Sequence, residues 1–288
     1  TWSDWRTEMR SNRYHFATRF ARHLPVLFVQ PDLPVPGYSF DSTEVDGVEV
    51  LHVFAEYGPR QDRLLNEALL ERGRLQPLLW IYNYDFLSFI LSRAAPLAVY
   101  HATEDYFCSD FMTIARPQKL REAIAAVDLL VAVSDGVRDS YVRRGRYSGE
   151  VLVLANGCDY GFWSKARAGR SRPTDNRAPV ALYQGGISHK LDWPLLHSLV
   201  ATLPDWEFWF CGEVFNCHDD WRRLARRPNV RSFRKLPIEE VRELAGQATV
   251  GLIPFVHNEW IIERSYLLKA FEYIAADLPV VSAPVKSL

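Results

Sequence analysis

Short apolar runs rich in β-branched and aromatic residues alternate with segments of helical periodicity along almost the whole chain. Continuous apolar strands separated by helices are typical of parallel sheets that are covered on both faces. The pattern therefore predicts an α/β fold with doubly wound sheets. The predicted strands are residues 26–30, 48–53, 78–82, 97–102, 129–134, 151–155, 180–185, 207–212, 230–233, 250–255 and 279–283.

One polar stretch interrupts this rhythm. Residues 164–178 contain Arg, Ser, Gly and Pro without an apolar period, and we interpret them as a linker. The sequence thus predicts two Rossmann-like domains, an N-terminal one at residues 1–163 and a C-terminal one at residues 179–288. Two such domains are expected to face each other across a cleft, where ligands of this architecture usually bind. Because the chain stops just after a predicted strand, we expect the second domain to be truncated.

Composition narrows the class of protein only slightly. A formal net charge of −1 over 288 residues gives no support to a general nucleic-acid binder. No apolar run approaches the roughly 20 residues of a membrane span, and no signal peptide is present, so we expect a cytoplasmic protein. The four cysteines form no CxxC pair. Cys211, Cys217 and His218 form a loose cluster that fits buried thiols better than a metal site.

A pair of glycines follows the first strand of the second domain, in the stretch "YQGGISHKLDW". Gly185 and Gly186 allow a close backbone approach, and the amides that follow them, together with Lys190, could hold a diphosphate. Neither a Walker A loop nor a GxGxxG fingerprint is present. A plain strand-to-helix turn with Asp192 as the helix cap is an equally good interpretation.

A helix is predicted from residue 265 to residue 276, with Ser265 as its N-cap. Glu272 lies beside its apolar face, and Lys269 precedes Glu272 by one turn. A carboxylate in a cleft can accept hydrogen bonds from two vicinal hydroxyls, as on a ribose. A solvated or salt-bridged glutamate is the alternative. The apolar face that we expect to meet the sheet consists of Leu267, Leu268, Phe271, Ile274 and Ala275.

Three segments resemble the GT-B glycosyltransferases of family 4. They are "VAVSDGVRDSY…VLVLANGCDYGFW", "YQGGISHKLDWPLL" and "YLLKAFEYIAADLPVVS", the last of which is similar to the family's KxFEYxAxGxPVV helix and strand. The resemblance implies transfer of a sugar from a UDP- or GDP-linked donor to a hydroxyl of a glycan or glycolipid. It also implies retention at the anomeric carbon, no metal and no other cofactor, and a role in the synthesis of cell-surface polysaccharide.

The resemblance assigns roles to several residues of the second domain. Gly185, Gly186 and Lys190 would hold the diphosphate, and Glu272 would bind the ribose. The N-terminus of the helix near Ser265 would carry part of the phosphate charge, beside Lys269.

The chain also departs from the family's pattern. Arg264 stands where the family has an acid, with Glu263 one residue away, and Asp277 stands where a glycine is usual. The arginine that normally follows the glycine loop is absent. Glu263 is therefore a candidate for the catalytic acid, and Arg264 for the missing positive charge.

The first domain offers three candidates at the end of a strand. His101, Glu104 and Asp105 follow the strand at residues 97–102, and one of them could act as a general base or stabilise charge on the leaving group. A surface or structural role is the alternative for each of them.

Residues 5–24 predict a basic helix with Arg6, Arg10 and Arg13 along one face. Arg13 and His15 are the candidates for acceptor binding, and such a helix would suit peripheral contact with the inner membrane. An ordinary solvated helix face is the alternative.

Two other functions remain open. A sugar-nucleotide epimerase shares the GT-B fold and would bind the same donor. An inactive GT-B domain could instead serve as a binding or assembly partner, and the departures from the family's pattern favour that possibility.

Overall fold

The computed structural model describes residues 1, 3–7, 11–92, 95–108, 115–169 and 178–286. The chain divides into two compact units, Thr1–Ala155 and Asn156–Leu288. The division falls earlier than the predicted end of the first domain at residue 163, because the segment after Ala155 packs within the second unit. Residues 170–177 of the predicted linker lie outside the described residues.

The described residues form strands at all eleven predicted positions and at one further position. In chain order they are β1 (Val26–Leu33), β2 (Tyr38–Ser42), β3 (Val48–Phe54), β4 (Leu79–Ile81), β5 (Ala98–Ala102), β6 (Leu129–Ala132), β7 (Glu150–Val153), β8 (Val180–Gln184), β9 (Glu207–Cys211), β10 (Val230–Phe233), β11 (Val250–Ile253) and β12 (Val280–Ser282).

The helices lie between these strands, as the periodicity predicted. They are α1 (Asn12–Phe20), α2 (Pro59–Glu71), α3 (Leu87–Ser92), α4 (Ala115–Ala125), α5 (Asp135–Arg143), α6 (Tyr160–Trp163), α7 (Trp193–Thr202), α8 (His218–Ala225), α9 (Ile238–Gln247) and α10 (Leu268–Ala275). Short 3-10 helices occur at Trp5–Thr7, Tyr84–Phe86 and Ser164–Gly169, and a π-helical turn occurs at Trp260–Arg264. No helix among the described residues is both long and apolar enough to cross a bilayer.

The first unit contains two small sheets. One has the strand order β1-β3-β2, in which β1 runs parallel and β2 antiparallel to β3. The other has the order β4-β5-β6-β7 and is entirely parallel. The sequence did not predict β2, because its polar composition and its lack of buried positions differ from those of the other strands.

The second unit is one parallel sheet with the order β10-β9-β8-β11-β12. Counted from β8, the order is 3-2-1-4-5, which is that of a doubly wound nucleotide-binding sheet. The direction of winding reverses between β8 and β11, and right-handed connections then place the helices that follow these two strands on opposite faces of the sheet. In such sheets ligands bind outside the carboxyl ends of the strands at this switch point.

Helix α10 differs from its predicted form in two respects. It begins at Leu268, with no side chain capping it, whereas Ser265 ends the preceding π-helical turn and donates its amide to the Ile261 carbonyl. The predicted N-cap role of Ser265 is therefore wrong. Ile274 is 59% exposed, and Tyr273 packs on the sheet instead, because Gly251 has no side chain to occupy the space of the Tyr273 ring.

The predicted basic helix at residues 5–24 is interrupted. Trp5–Thr7 is a separate 3-10 turn, and α1 begins at Asn12, where the Ser11 hydroxyl accepts a hydrogen bond from the Arg13 amide. Arg6 lies outside α1 and pairs with Asp41 at 2.5 Å. Arg10 lies outside the described residues. The prediction of one helix face that joins Arg6 to Arg13 is therefore wrong.

Candidate functional site

The glycine loop after β8 is held on both sides by neighbouring loops. The Ile187 amide donates to the Glu213 carbonyl at 2.8 Å, after β9. The Lys190 carbonyl accepts from the Val256 amide at 2.9 Å, after β11. The loop therefore crosses the switch point in a fixed conformation, and α7 begins directly after it with Asp192 as its N-cap, as predicted.

Only part of the predicted amide cradle is available to a ligand. The Gly185 amide already donates to the Cys211 carbonyl, and the Ile187 amide to Glu213. In the part of the chain that the structure describes, the amides of Gly186 and Ser188 have no acceptor. An anion at this loop would therefore bind these two amides, and most of its charge would have to be neutralised by side chains.

Gly185 is a position that only glycine suits. Its φ is 118°, which side chains rarely adopt, and a Cβ atom there would lie 2.9 Å from the Lys269 ammonium nitrogen. The absence of a side chain thus lets the ammonium group lie against the loop backbone. The predicted residues Gly185 and Lys269 are brought together in this way.

Lys269 lies among aromatic rings rather than in solvent. Its Nζ atom is 4.2 Å from the ring centroid of Tyr183 and 4.8 Å from that of Phe255. Burial, assisted by the charge of Lys190 and opposed by that of Glu272, lowers the pKa of Lys269 to about 7. The Lys190 ammonium is itself 4.5 Å from the Trp260 ring centroid. Two lysines from different segments therefore converge on the loop.

Glu272 is buried rather than solvated, with 8% of its surface exposed. The Gln184 side-chain amide donates to its Oε2 atom at 2.5 Å. Burial raises the pKa of Glu272 to about 7, although the Lys269 charge and the Gln184 hydrogen bond both favour the ionised form. Among the described residues no donor reaches Glu272 Oε1, and the buried Oε1 of Gln184 also lacks one. Two acceptor oxygens therefore remain for a ligand.

The candidates on the π-helical turn have partners of their own. Arg264 pairs with Glu259 at 2.5 Å, and the exposed Glu263 accepts from the Lys286 ammonium at 3.2 Å. The Ser265 hydroxyl donates to the Trp260 carbonyl. No hydrogen bond within the described ranges joins any of these three candidates to Glu272 or Lys269.

Asp277 occupies a position with a glycine-like backbone. Its φ is 59°, in the left-handed region, and its amide donates to the Ile274 carbonyl at the end of α10. Aspartate is one of the few residues that tolerate this region, so the departure from the family's glycine leaves the helix end intact.

The first unit contains a second polar cluster, around His101 at the end of β5. The Trp80 indole N–H donates to His101 Nδ1 at 3.2 Å, so the proton of the neutral ring lies on Nε2. His101 is 1% exposed, and burial, assisted by the charge of Arg13, lowers its pKa to about 3. Its one lone pair is thus engaged, and the ring can act as a hydrogen-bond donor but not as a base.

The two carboxylates that follow β5 differ from each other. Asp105 is buried, and its Oδ1 atom accepts from the Ser140 hydroxyl at 2.8 Å and from the Phe107 amide at 3.0 Å. These contacts tie the loop to α5, which is a structural role. Glu104 is exposed, and its carbonyl accepts from the Tyr141 hydroxyl.

Arg13 and His15 lie on different sides of α1. Arg13 lies over the Tyr82 ring, with its guanidinium carbon 5.5 Å from the ring centroid. The His15 ring contacts the Arg19 guanidinium at 3.1 Å instead. The structure thus brings Arg13, but not His15, to the His101 cluster.

The cysteines are free thiols, as the sequence indicated. Cys211 and Cys217 are buried, and burial raises the pKa of Cys211 to about 11 and also raises that of Cys217. Within the described residues no group of three or more His, Cys, Asp or Glu side chains is arranged to hold a metal ion.

Sequence reasoning missed the residues that position the candidates. Gln184 was predicted to end a strand and was given no role, whereas a polar residue at the end of an apolar strand was a usable signal. Tyr273 was also missed, although its hydroxyl donates to the Leu182 carbonyl and accepts from the Gln184 amide. Trp80 carried no signal, since its role depends on a contact with the next strand.

No protein-family model matches the chain. Over 141 residues it is 28% identical to TuaH of Bacillus subtilis (strain 168), a protein named as a teichuronic acid biosynthesis glycosyltransferase; the match covers 48% of this chain and 35% of TuaH. The matched stretch therefore spans about a third of that relative.

Solved structures match over nearly the whole chain. Sucrose-phosphate synthase from Thermosynechococcus elongatus superposes with a TM-score of 0.71 at 14% identity, covering 93% of this chain and 73% of that one. HepE of Anabaena, solved with UDP and glucose, gives a TM-score of 0.68 at 15% identity, covering 99% of this chain and 80% of that one. The chain has the GT-B fold. The predicted fold class of the GT-B glycosyltransferases, with two Rossmann-like units, is thus confirmed, as is the resemblance on which it was based.

Proposed function

We propose that the protein is a glycosyltransferase that moves a sugar from a nucleoside diphosphate sugar to an acceptor hydroxyl. One observation carries the proposal: Lys190, Lys269 and the buried Glu272 converge on the glycine loop at the switch point of the second sheet. Two cations against one carboxylate leave an excess of positive charge for the diphosphate. Glu272 Oε1 and Gln184 Oε1 are the acceptors for the two ribose hydroxyls.

The donor in this proposal is UDP- or GDP-linked. HepE, which shares the fold, was solved with UDP and glucose, and this supports a nucleotide-sugar as the donor. No metal enters the proposed mechanism, because Lys190, Lys269 and the amides of Gly186 and Ser188 supply the charge and the donors that a diphosphate needs.

Transfer with retention is part of the same proposal. An inverting enzyme needs a general base for the acceptor hydroxyl, whereas a retaining one mainly needs groups that stabilise charge in the transition state. The Trp80 indole engages the lone pair of His101, and the ring remains neutral. His101 is therefore not available as a general base, and this favours a retaining enzyme. Glu104 is the remaining carboxylate at this strand end that could accept a proton.

We further propose that the acceptor is a glycan or lipid-linked glycan of the cell surface. The name of TuaH refers to teichuronic acid biosynthesis, and this supports a polysaccharide acceptor. A lipid-linked acceptor would bring the protein to the cytoplasmic face of the inner membrane as a peripheral protein, which is the location that we propose.

A panel of UDP- and GDP-linked sugars tests the proposal. Thermal-shift and calorimetric titration should find one nucleotide that stabilises the full chain, and its sugar form should be hydrolysed or transferred. If no acceptor is present and no nucleotide is released, but the sugar of the donor is converted into another sugar, the protein is an epimerase instead. Failure of every member of the panel to bind would contradict the donor site.

An inactive binding domain is the second candidate, and one observation favours it. Arg264 replaces the family's acid and is ion-paired with Glu259, so the acid that normally meets the donor sugar has no direct equivalent. Tight binding of a nucleotide-sugar with neither hydrolysis nor transfer would support this candidate.

A further inference from the structure

The guanidinium group of Arg13 has an unusual environment. Several other arginines of the first unit form ion pairs, such as Arg6 with Asp41, Arg72 with Glu49 and Arg138 with Asp135. Arg13 has no such pair with a described carboxylate, and its Nε atom is buried without an acceptor. A buried donor that lacks an acceptor is costly, and more so when it is charged. The missing acceptor therefore has to come from solvent or from a ligand.

A second buried donor, His101, contacts the same tyrosine ring. The His101 ring stacks on Tyr82 with a centroid distance of 5.1 Å, and Arg13 lies over that same Tyr82 ring. Because Trp80 fixes the tautomer, His101 Nε2 carries a proton, and this buried atom also lacks an acceptor in the described part of the chain. Phe16 packs edge-on against His101 at 4.7 Å and closes another side of the cluster.

The chemistry of the two donors selects the ligand. Arg13 offers only N–H donors, and His101 Nε2–H is also a donor. A neutral hydroxyl would bring a proton that also needs an acceptor, and neither group supplies one. A carboxylate or phosphate group offers acceptors only and matches the arginine charge. Asp105, the buried acid nearest in sequence to His101, accepts hydrogen bonds from the Ser140 hydroxyl and the Phe107 amide.

We infer that Arg13 and His101 bind an anionic substituent, a carboxylate or a phosphate group, on the acceptor sugar. The identification of the ligand as an acceptor sugar rests on the proposed function. The anion site itself does not depend on the donor site. It narrows the acceptor to a uronic acid or a sugar phosphate. Trp80 acts as a positioning residue, because its indole N–H holds the histidine in the tautomer that donates.

Calorimetric titration of the full chain with four sugars tests this inference. Methyl glucuronoside and glucose 6-phosphate carry the two anions, and methyl glucoside and glucose are their neutral counterparts. We expect one anionic sugar to bind at least about tenfold more tightly than its neutral counterpart, with a loss of affinity at higher salt. Tighter binding of the glucuronoside would identify the acceptor as a uronic acid, and tighter binding of glucose 6-phosphate would identify it as a sugar phosphate. Equal affinity for charged and neutral sugars, or no response to either anion, would overturn the inference.

Variants separate the side chain from general effects on folding. Arg13→Gln should abolish the preference for the charged sugar, whereas Arg13→Lys should retain part of it. Arg19→Gln, an exposed substitution on the same helix, is the matched control and should change nothing. An unchanged preference in Arg13→Gln would contradict the assignment.

UDP and GDP, titrated into the same samples, keep the two proposals distinguishable. If the unmodified chain binds a nucleotide but binds charged and neutral sugars equally, only this inference is contradicted. If no sample binds a nucleotide, including the unmodified chain, only the proposed function is contradicted.

Discussion

The two units treat their buried polar groups in different ways. In the second unit Glu272 has a hydrogen-bond donor in Gln184 and a counter-charge in Lys269, so the carboxylate is held in place without any ligand. In the first unit, as far as it is described, Arg13 and His101 have donors with no acceptor. The difference suggests a preorganised site for the nucleotide and a site in the first unit that only a ligand completes.

The largest expected effect lies at the carboxylate of the second unit. Glu272→Gln keeps the shape of the side chain but removes the charge, and we expect affinity for UDP or GDP, whichever binds better, to fall about 100-fold, since a hydrogen bond to a charged group contributes about 1.5–3 kcal/mol. Calorimetric titration with UDP and GDP measures this loss of affinity. Glu263→Gln, at an exposed glutamate on the preceding turn, is the control, and equal affinities in both variants would remove Glu272 from the site.

A smaller and more selective loss is expected at Lys190. Lys190→Met should weaken binding of the nucleoside diphosphate about tenfold, because the ammonium is a partner of the phosphates, and should leave the nucleoside unaffected. Lys235→Met, at an exposed lysine after β10, is the matched control. Equal losses for nucleoside and diphosphate would show that Lys190 supports the loop and does not bind phosphate.

The pKa values of Glu272 and Lys269 predict a pH optimum for donor binding. Below about pH 7 Glu272 becomes protonated and loses its affinity for the ribose hydroxyls, and above about pH 7 Lys269 loses the charge that the diphosphate needs. Affinity for the preferred nucleotide-sugar should therefore peak near pH 7, with a loss of up to about tenfold per pH unit on either side. Nucleoside affinity should show only the acid limb. A flat profile between pH 5.5 and 8.5 (roughly 1.5 units on each side) would contradict the coupled pair.

The smallest effect on nucleotide binding should come from a residue that positions His101. Trp80→Phe removes the indole donor to Nδ1, and we expect the free energy of unfolding of the first unit to fall by about 1–3 kcal/mol. Affinity for UDP or GDP should remain unchanged, since the contacts of Trp80 with Phe16, Phe20 and His101 lie within the first unit. Urea unfolding and calorimetry measure the two effects, and a fall in nucleotide affinity would show that the two sites are not independent.

The predictability of the fold follows from burial. β8 is buried at every position, so its apolar run was unmistakable, whereas β2 has no buried position and a polar composition and gave no signal. The start of α10 was placed too early because Ser265 is a typical N-cap residue. The π-helical turn before it depends on tertiary contacts, which the sequence pattern does not contain.

The candidate site was predictable only where a local pattern carried it. The glycine loop and Lys190 follow a strand, and Glu272 lies on an amphipathic helix, so the sequence could single these residues out, but their roles came from the resemblance to the glycosyltransferase family. Gln184 acts on Glu272 from 88 positions away in the chain, and the tautomer of His101 depends on Trp80 in another strand. Contacts of this kind exist only after the strands are placed side by side.

A crystal structure of the full chain bound to UDP or GDP would test the central claim most directly. The account predicts ribose hydroxyls within about 3 Å of the Glu272 carboxylate, and a diphosphate against Gly186 with Lys190 or Lys269 at the same short range. A nucleotide bound away from the loop after β8, with no contact between its ribose and Glu272, would contradict it.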